Sequence, residues 1–367
     1  MPRIVLFGAS GYTGDLTARA LVGRGLRPLL AGRNQDRLTA LAGELGGLET
    51  QVADVARPDS VRALVQRGDV LVSTVGPFAR WGRPALDAAI GGGAHYIDST
   101  GETPFIREVF EHFGPGAQAA GVGLLTAMGY DWVPGNLAGA LALRDAGPGA
   151  TRVDIGYFTR GAMSADGMSG GTRASAAGVM LEPSFAFRGG RLATVRGGAS
   201  VRSFAVGGKQ RQALSAGSTE HFALPRVHDG LRDVEVYLGW FGPATRAMQG
   251  LALGLTAITK IPGAKGGLSS LVGRAVKGST GGPGAEARAG TGSVVVAEAK
   301  DPSGTVLASA RVEGVNGYDF TAGMLAWAAE AAAGGGLQGT GALGPVDGFG
   351  LDALERGAAE AGISRVA

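Results

Sequence analysis

Two kinds of residue in this chain are spaced for chemistry: glycines that leave room for an anion, and ionisable groups that follow apolar runs. The run Ile4-Val5-Leu6-Phe7 breaks into Gly8-Ala9-Ser10-Gly11-Tyr12-Thr13-Gly14, and residues 15–22 have helical spacing. A strand, a glycine turn and a helix start make a phosphate site, because free N–H groups and the positive dipole end meet the anion there. Gly8 permits the turn, Gly11 carries no Cβ to hold a pyrophosphate away, and Gly14 lets helix and strand pack closely. Ser10, Tyr12 and Thr13 complete the expected contact set. The spacing is G-x-x-G-x-x-G, not the stricter G-x-G-x-x-G, and the chain holds 67 glycines, so a plain glycine turn is the competing explanation. Its place directly after an N-terminal strand of buried type favours the phosphate site.

A second short strand, residues 27–32, ends in Arg33-Asn34, roughly 20 residues past the turn, where a dinucleotide fold presents its ribose-reading residue. An NAD site wants a carboxylate there. Here a guanidinium stands instead, with Arg37 one helical turn on, and Arg binds a 2′-phosphate that a carboxylate would repel. The expected cofactor is therefore NADP(H), read by Arg33, Asn34 and Arg37; a solvated arginine at a helix start is the alternative. A helix over 36–45 leads to a strand at 50–53 and then Asp54, which either reaches the adenine edge or caps the helix starting near Pro58. Residues 69–78 form a fourth buried strand ending in a small-residue loop. Ligands in open α/β sheets sit off the carboxyl ends of strands, which puts Val75, Gly76 and Pro77 beside the nicotinamide and its ribose.

After a helix at 84–90, a fifth strand (94–98) runs into Ser99-Thr100-Gly101-Glu102, and a sixth (122–126) runs into residues 127–136. These ends supply Tyr96, Asp98, Glu102, Tyr130 and Asp131 as proton donors, with His95 beside them. For hydride transfer followed by protonation, Tyr130 or Tyr96 is the candidate donor, and Asp131 or Glu102 orients it. Alternatively, Asp98 and Asp131 only tie down loops through backbone N–H groups. None of the six tyrosines is followed by a lysine four residues on, which argues against short-chain dehydrogenase chemistry. The four histidines are scattered without paired carboxylates, so no metal site is expected.

The elements that must position these groups alternate strand and helix, which implies an α/β, Rossmann-like, doubly wound parallel sheet. Hydrophobic residues make up 45% of the chain, enough for a proper core. The absence of cysteine excludes disulfides and thiolate chemistry. A net charge of +3 without a dense basic block argues against nucleic acid as a partner. The N-terminus enters the first strand at once, leaving no room for a signal peptide, and a cytoplasmic location is expected.

The pattern changes from Thr151, and three domains are expected: 1–140 for the nucleotide, 141–316 as an α+β substrate or dimerisation domain, and 317–367 as helices packing back on the first. Residues 153–159 alternate like an antiparallel strand open to solvent on one face. A polar loop (162–169) and a glycine-led helix (170–180) follow. Gly171-Thr172 either contacts substrate or caps that helix. A hairpin at 185–195, strands at 201–206, 218–223 and 234–238, and a second hairpin over 293–313 give a mainly antiparallel sheet, a platform for substrate or a homodimer. Residues 240–277 combine Met248, Leu251, Leu253, Leu255, Ile258 and Ile261 with Arg246, Lys260, Lys265, Arg274 and Lys277. This run is too short to span a bilayer; it fits peripheral membrane contact, the mouth of a greasy tunnel, or a core helix with basic flanks. Residues 278–292 read as a glycine-rich loop. Helices are expected at 318–333 and 351–361.

The glycine turn, Ala31-Gly32-Arg33, Val75-Gly76-Pro77-Phe78, the Tyr96–Glu102 segment and residues 129–136 together resemble the saccharopine dehydrogenase-like oxidoreductases. Residues 169–175 and Gly317-Tyr318-Asp319-Phe320-Thr321 add to the resemblance, which spans nearly the whole chain. The subgroup it most resembles is the trans-acting enoyl reductases of actinobacterial lipid synthesis, whose partners are polyketide synthases without an enoyl reductase domain. That resemblance implies NADPH-dependent reduction of an enoyl thioester, free or carrier-bound, with hydride reaching the β-carbon and an enolate taking up a proton. Two alternatives remain at this point. One is imine or carbonyl reduction of an amino-acid-like substrate, as in saccharopine reductase, with Arg160 and Arg173 as clamps. The other is a non-catalytic NADP(H) sensor.

Overall fold

The computed structural model describes residues 2–161, 183–259 and 281–366. They form two compact units, the first made of residues 1–101, 105–133 and 315–363, the second of 102–104, 134–314 and 364–367.

The first unit opens with β1 (Ile4–Phe7), α1 (Tyr12–Gly23), β2 (Leu29–Gly32), α2 (Gln35–Glu44), β3 (Thr50–Val52) and β4 (Val70–Ser73). It continues through α3 (Arg83–Gly92), β5 (His95–Asp98), α4 (Gly114–Ala120) and β6 (Gly123–Leu125). Every residue of β1, β2 and β4 is buried, which explains why these strands read as unbroken apolar runs rather than alternations. His95 serves this sheet: its Nδ1 accepts the Gly123 N–H at 3.0 Å, tying β5 to β6.

The second unit begins with α5 (Val133–Ala146) and β7 (Arg152–Arg160). A hairpin, β8 (Ser184–Arg188) and β9 (Arg191–Val195), turns at Gly189-Gly190 as its composition predicts. β10 (Val201–Val206), β11 (Lys209–Ser215), α6 (Glu220–Val227), β12 (Asp233–Leu238) and α7 (Thr245–Thr259) follow. β13 (Gly292–Lys300) and β14 (Val306–Gly314) complete this part.

The chain then re-enters the first unit with α8 (Gly317–Ala333), β15 (Gly341–Ala342) and α9 (Leu351–Glu360), and finishes in β16 (Ile363–Val366). β15 joins the first sheet, giving the order β15-β6-β5-β4-β1-β2-β3, all parallel. Helix α8 lies along α1 and against β4 and β5. Arg24 at the end of α1 bridges Glu330 and Glu360, fastening α8 and α9 to the same unit. The second sheet runs β10-β11-β12-β7-β13-β14-β16, with the β8–β9 hairpin joined through β12.

Several expectations are corrected here. Residues 218–223 are not a strand; Glu220, Ala223 and Leu224 are buried at helical spacing on α6, and tertiary packing overrides the strand preference of Thr219 and Phe222. β7 is buried on both faces, not open on one: residues 153–158, which point alternately to the two faces, are all enclosed, while β12 and β13 pair along its edges. Its pairing with β12 is parallel, so the sheet is mixed at its centre. Residues 278–292 are not all loop: Ala285–Ala289 is helical and β13 starts at Gly292. The readings at 162–169 and 170–180, with Gly171, Thr172 and Arg173, lie outside the described residues. So does 240–277 beyond Thr259. Within α7, Ala252 is buried while Leu251 and Leu253 are exposed. No helix among the described residues is long and apolar enough to cross a membrane.

Candidate active site

Strands β6, β5, β4 and β1 are consecutive neighbours. The segments leaving their carboxyl ends, 126–132, 99–101, 74–77 and the glycine turn 8–14, therefore share one edge of the sheet. Strand order reverses direction at β1, the switch point where such sheets take ligands.

Gly8 has φ +91°, and a Cβ there would stand 2.7 Å from Thr74 Oγ1. The N–H groups of Gly8 and Ala9 both donate to the Ala31 carbonyl at 2.8 and 3.1 Å, pinning the turn to the end of β2. Thr74 donates to the carbonyls of Phe7 and Gly8, each at 3.2 Å, and so ties the β4 loop to the turn. A Cβ on Gly14 would fall 2.1 Å from the Gly8 carbonyl oxygen, so α1 starts hard against the turn. Gly11 heads α1 in extended backbone, with no side chain capping the first-turn N–H groups. A Cβ on Gly11 would meet only the Gly8 carbonyl, at 3.2 Å. The space ahead of the helix start is thus open, a cradle that a side chain would fill and that fits a diphosphate. Ser10 lies in the turn with its Oγ near Gly32. The Thr13 carbonyl accepts the Thr17 hydroxyl at 2.8 Å, and the Tyr12 ring meets Tyr318 edge-on, centroids 5.3 Å apart.

Arg33 and Arg37 are exposed beyond the end of β2, and neither has a carboxylate partner among the described residues. Asn34 caps α2, its Oδ1 accepting the Arg37 N–H at 2.9 Å. Asp54 folds its own turn: Oδ1 accepts from Ala56 N–H at 3.0 Å, and its N–H donates to Ser60 Oγ at 2.9 Å. Val75, Gly76 and Pro77 leave β4 at the sheet edge, and Pro77 heads the short helix Phe78–Trp81.

The ionisable groups separate by surroundings. Asp98 is wholly buried and fully occupied: Oδ1 accepts the N–H groups of Ala127 at 2.8 Å and Thr100 at 2.9 Å, and Oδ2 accepts the Thr126 hydroxyl at 2.8 Å. Burial pushes its carboxyl up to about 6 against the pull of those bonds. Asp98 thereby holds Ala127 at φ +61°, a left-handed backbone that non-glycine residues adopt only at a cost of about 1–2 kcal/mol. Asp131 is different. Its Oδ1 is sealed from solvent with no hydrogen-bond partner, and burial pushes the carboxyl up to about 7. Its Oδ2 faces Gly101, where a Cβ would be 2.8 Å away. Tyr96 is completely buried; burial first, then the Asp98 charge, pushes its hydroxyl well above the usual tyrosine range. Tyr130 is buried with its ring against Gly317, where a Cβ would lie 2.9 Å from Cδ1. Glu102 is buried and belongs to the second unit.

Thr74, Thr321 and Tyr318 also shape this edge, and residue spacing alone did not single them out. The second unit holds a buried polar cluster of its own. Tyr157 donates to Glu220 Oε1 at 2.7 Å and accepts the Gly135 N–H at 2.8 Å, while Asn136 donates to Thr219 Oγ1 at 2.9 Å. Burial pushes Glu220 up to about 7 and His221 down to about 4. No group of three metal-ligating side chains occurs among the described residues.

Comparison with known proteins agrees with this geometry. Residues 4–125 match the family model of the saccharopine dehydrogenase NADP binding domain. The chain is 36% identical over 140 residues to a trans-acting enoyl reductase of Mycobacterium ulcerans, covering 36% of this chain and 34% of that protein. It is 38% identical over 140 residues to a trans-acting enoyl reductase of Mycobacterium leprae, with the same coverage of 36% and 34%. The matched stretch thus spans about a third of those relatives' length. The fold is that of the apo saccharopine dehydrogenase (L-Glu forming) of Saccharomyces cerevisiae, with TM-score 0.62 at 13% identity over 100% of both chains. With a glycine turn that fits a diphosphate and the family model matched over residues 4–125, this part of the chain is a saccharopine dehydrogenase-type NADP binding domain, and its cofactor is NADP(H).

Proposed function

We propose that the protein reduces the carbon–carbon double bond of an enoyl thioester with NADPH, and that Asp131 is the proton donor. The observation that carries this reading is the Asp131 carboxyl, its Oδ1 shut off from solvent and unpaired among the described residues and its pKa pushed up to about 7, at the same sheet edge as the glycine turn. The relatives named trans-acting enoyl reductases support the choice of acceptor.

Within this proposal the glycine turn 8–14 holds the diphosphate, and Arg33 and Arg37 hold the 2′-phosphate, with Asn34 fixing the start of α2 between them. Asp54 borders the adenine, and Val75, Gly76 and Pro77 border the nicotinamide. When bound, NADPH would supply the hydride that adds to the β-carbon, and the electron pair of the double bond would move onto the α-carbon and thioester oxygen. Asp131, its carboxyl pushed up to about 7, gives its proton to the α-carbon and becomes a carboxylate that solvent reprotonates. Tyr130 keeps the loop in register through its packed ring. Tyr96, sealed inside the sheet, and Glu102 are given no proton-transfer step. The acyl group arrives on a carrier domain of a polyketide synthase, the partner that the resemblance in the sequence implies, and the name trans-acting of the relatives fits an acceptor carried by another protein.

The test is fluorescence titration with NADPH and NADH, then loss of nicotinamide absorbance on adding trans-2-dodecenoyl-coenzyme A. Preferential NADPH binding, substrate-dependent oxidation and a drop of about 10²–10⁴ in kcat for Asp131→Asn are expected. Tight NADPH binding without oxidation of any enoyl thioester overturns the reading in favour of an imine substrate or a sensor.

A further inference from the structure

Among the described residues, no hydrogen bond holds the Asp131 side chain. Among the described residues its Oδ1 has no partner, and Oδ2 only abuts the bare Gly101. The carboxyl must therefore be placed by the backbone that carries it, and that backbone has two anchors. One is Asp98, which receives the Ala127 N–H through Oδ1 and the Met128 N–H, at 2.7 Å, through its carbonyl. The other comes from the far end of the sequence. Thr321, in the first turn of α8, accepts the Tyr130 N–H at 3.0 Å through Oγ1, immediately before Asp131.

Thr321 is well suited to this because its hydroxyl is oriented. It donates to the Gly317 carbonyl at 2.7 Å, which turns a lone pair toward Tyr130. Its methyl carbon fills the space over Gly129, where a Cβ would stand 2.8 Å away. Gly317 in turn leaves room for the Tyr130 ring. The next residue, Tyr318, touches Tyr12 edge-on at the glycine turn. The first turn of α8 thus sits between the nucleotide turn and the acid loop and contacts both.

We propose that Thr321 is a positioning residue for the reduction: through the Tyr130 N–H it fixes where the Asp131 carboxyl stands relative to the nucleotide turn. The inference rests on the assignment of Asp131 as proton donor. Thr321 touches neither substrate nor cofactor in this role. Removing its acceptor while keeping its shape frees the Tyr130 peptide, lets the loop drift and lets water reach the carboxyl. A misplacement of about an ångström costs up to about a hundredfold in rate.

The experiment compares wild type, Thr321→Val, Thr321→Ser and Asp131→Asn with NADPH and trans-2-dodecenoyl-coenzyme A across about pH 5–9. In wild type, kcat is expected to fall as pH rises through about 7, as the Asp131 proton is lost. Thr321→Val is expected to lower kcat about ten- to a hundredfold, leave NADPH affinity unchanged and move that alkaline limb to lower pH. Thr321→Ser restores both the rate and the limb. A Thr321→Val enzyme with the wild-type limb and rate overturns the inference while leaving Asp131 standing, as does a Ser variant that fails to rescue. An Asp131→Asn enzyme with wild-type rate brings down the donor assignment itself, and the role of Thr321 with it. Should the Val variant not fold, Thr321→Ala carries the same comparison.

Discussion

Gly101 and Asp131 come from different strand ends, yet the first is bare where the second stands: a Cβ at Gly101 would lie 2.8 Å from Asp131 Oδ2. A methyl there cannot be absorbed without moving the carboxyl. Gly101→Ala is expected to cut kcat at least about tenfold with little change in NADPH affinity, and to shift the alkaline limb. A pH–rate profile indistinguishable from wild type would contradict this.

Arg33 is exposed beyond the end of β2, with no carboxylate partner among the described residues. If Arg33 holds the 2′-phosphate as proposed, Arg33→Asp exchanges a charge-assisted contact for repulsion. NADPH binding should weaken by about 1.5–3 kcal/mol, roughly ten- to a hundredfold, while NADH binding stays the same or improves. Parallel titrations with both nucleotides check it, and equal losses for the two would assign Arg33 a structural role instead.

Glu220 predicts how the protein's stability varies with pH. Its carboxyl is pushed up to about 7 in the folded state by burial. A folded-state pKa raised above the unfolded value gives stability that is complete below the unfolded pKa and is lost as pH rises through about 7. Glu220→Gln keeps an acceptor for the Tyr157 hydroxyl and removes the charge. Thermal unfolding should show the variant more stable than wild type above pH 8, by up to about 2–3 kcal/mol, with the difference gone near pH 5. A constant offset at all pH values would contradict it.

Asp154 is completely buried on β7 and pairs with Arg152 at 2.9 Å, Lys300 at 3.0 Å and Arg202. Asp154→Ala leaves three cations without their shared counter-ion. The expected loss is about 3 kcal/mol, the low end for breaking a buried ion pair, because Arg152 still reaches solvent. Chemical unfolding measures it; a loss below about 1 kcal/mol is ordinary for exposed pairs and would contradict a buried network.

The parts of the site legible in the sequence are those whose chemistry is local. Gly8, Gly11 and Gly14 form their turn within seven residues, and Arg33 follows one strand later, so spacing alone could locate the turn and the exposed arginine beyond β2. Asp131 was visible as a carboxylate after β6, but its acidity comes from enclosure, which no spacing encodes. Thr321 and Tyr318 reach the site across nearly two hundred and more than three hundred residues, from Tyr130 and Tyr12 respectively, and only the resemblance at 317–321 pointed toward them. Helix α5 escaped notice because residues 133–143 are buried all round, which erases the amphipathic period. β15 is two residues long and carries no pattern at all.

The late return of the chain has a consequence for synthesis. The parallel sheet lacks its edge strand β15, and α1, β4 and β5 lack their cover α8, until residues far beyond β6 exist. A nascent chain that has emerged only to residue 133 therefore exposes the apolar surface that Phe320, Met324, Leu325 and Ala328 bury in the finished protein. The nucleotide unit cannot close as it leaves the ribosome; it waits, aggregation-prone, for the second unit to be made first.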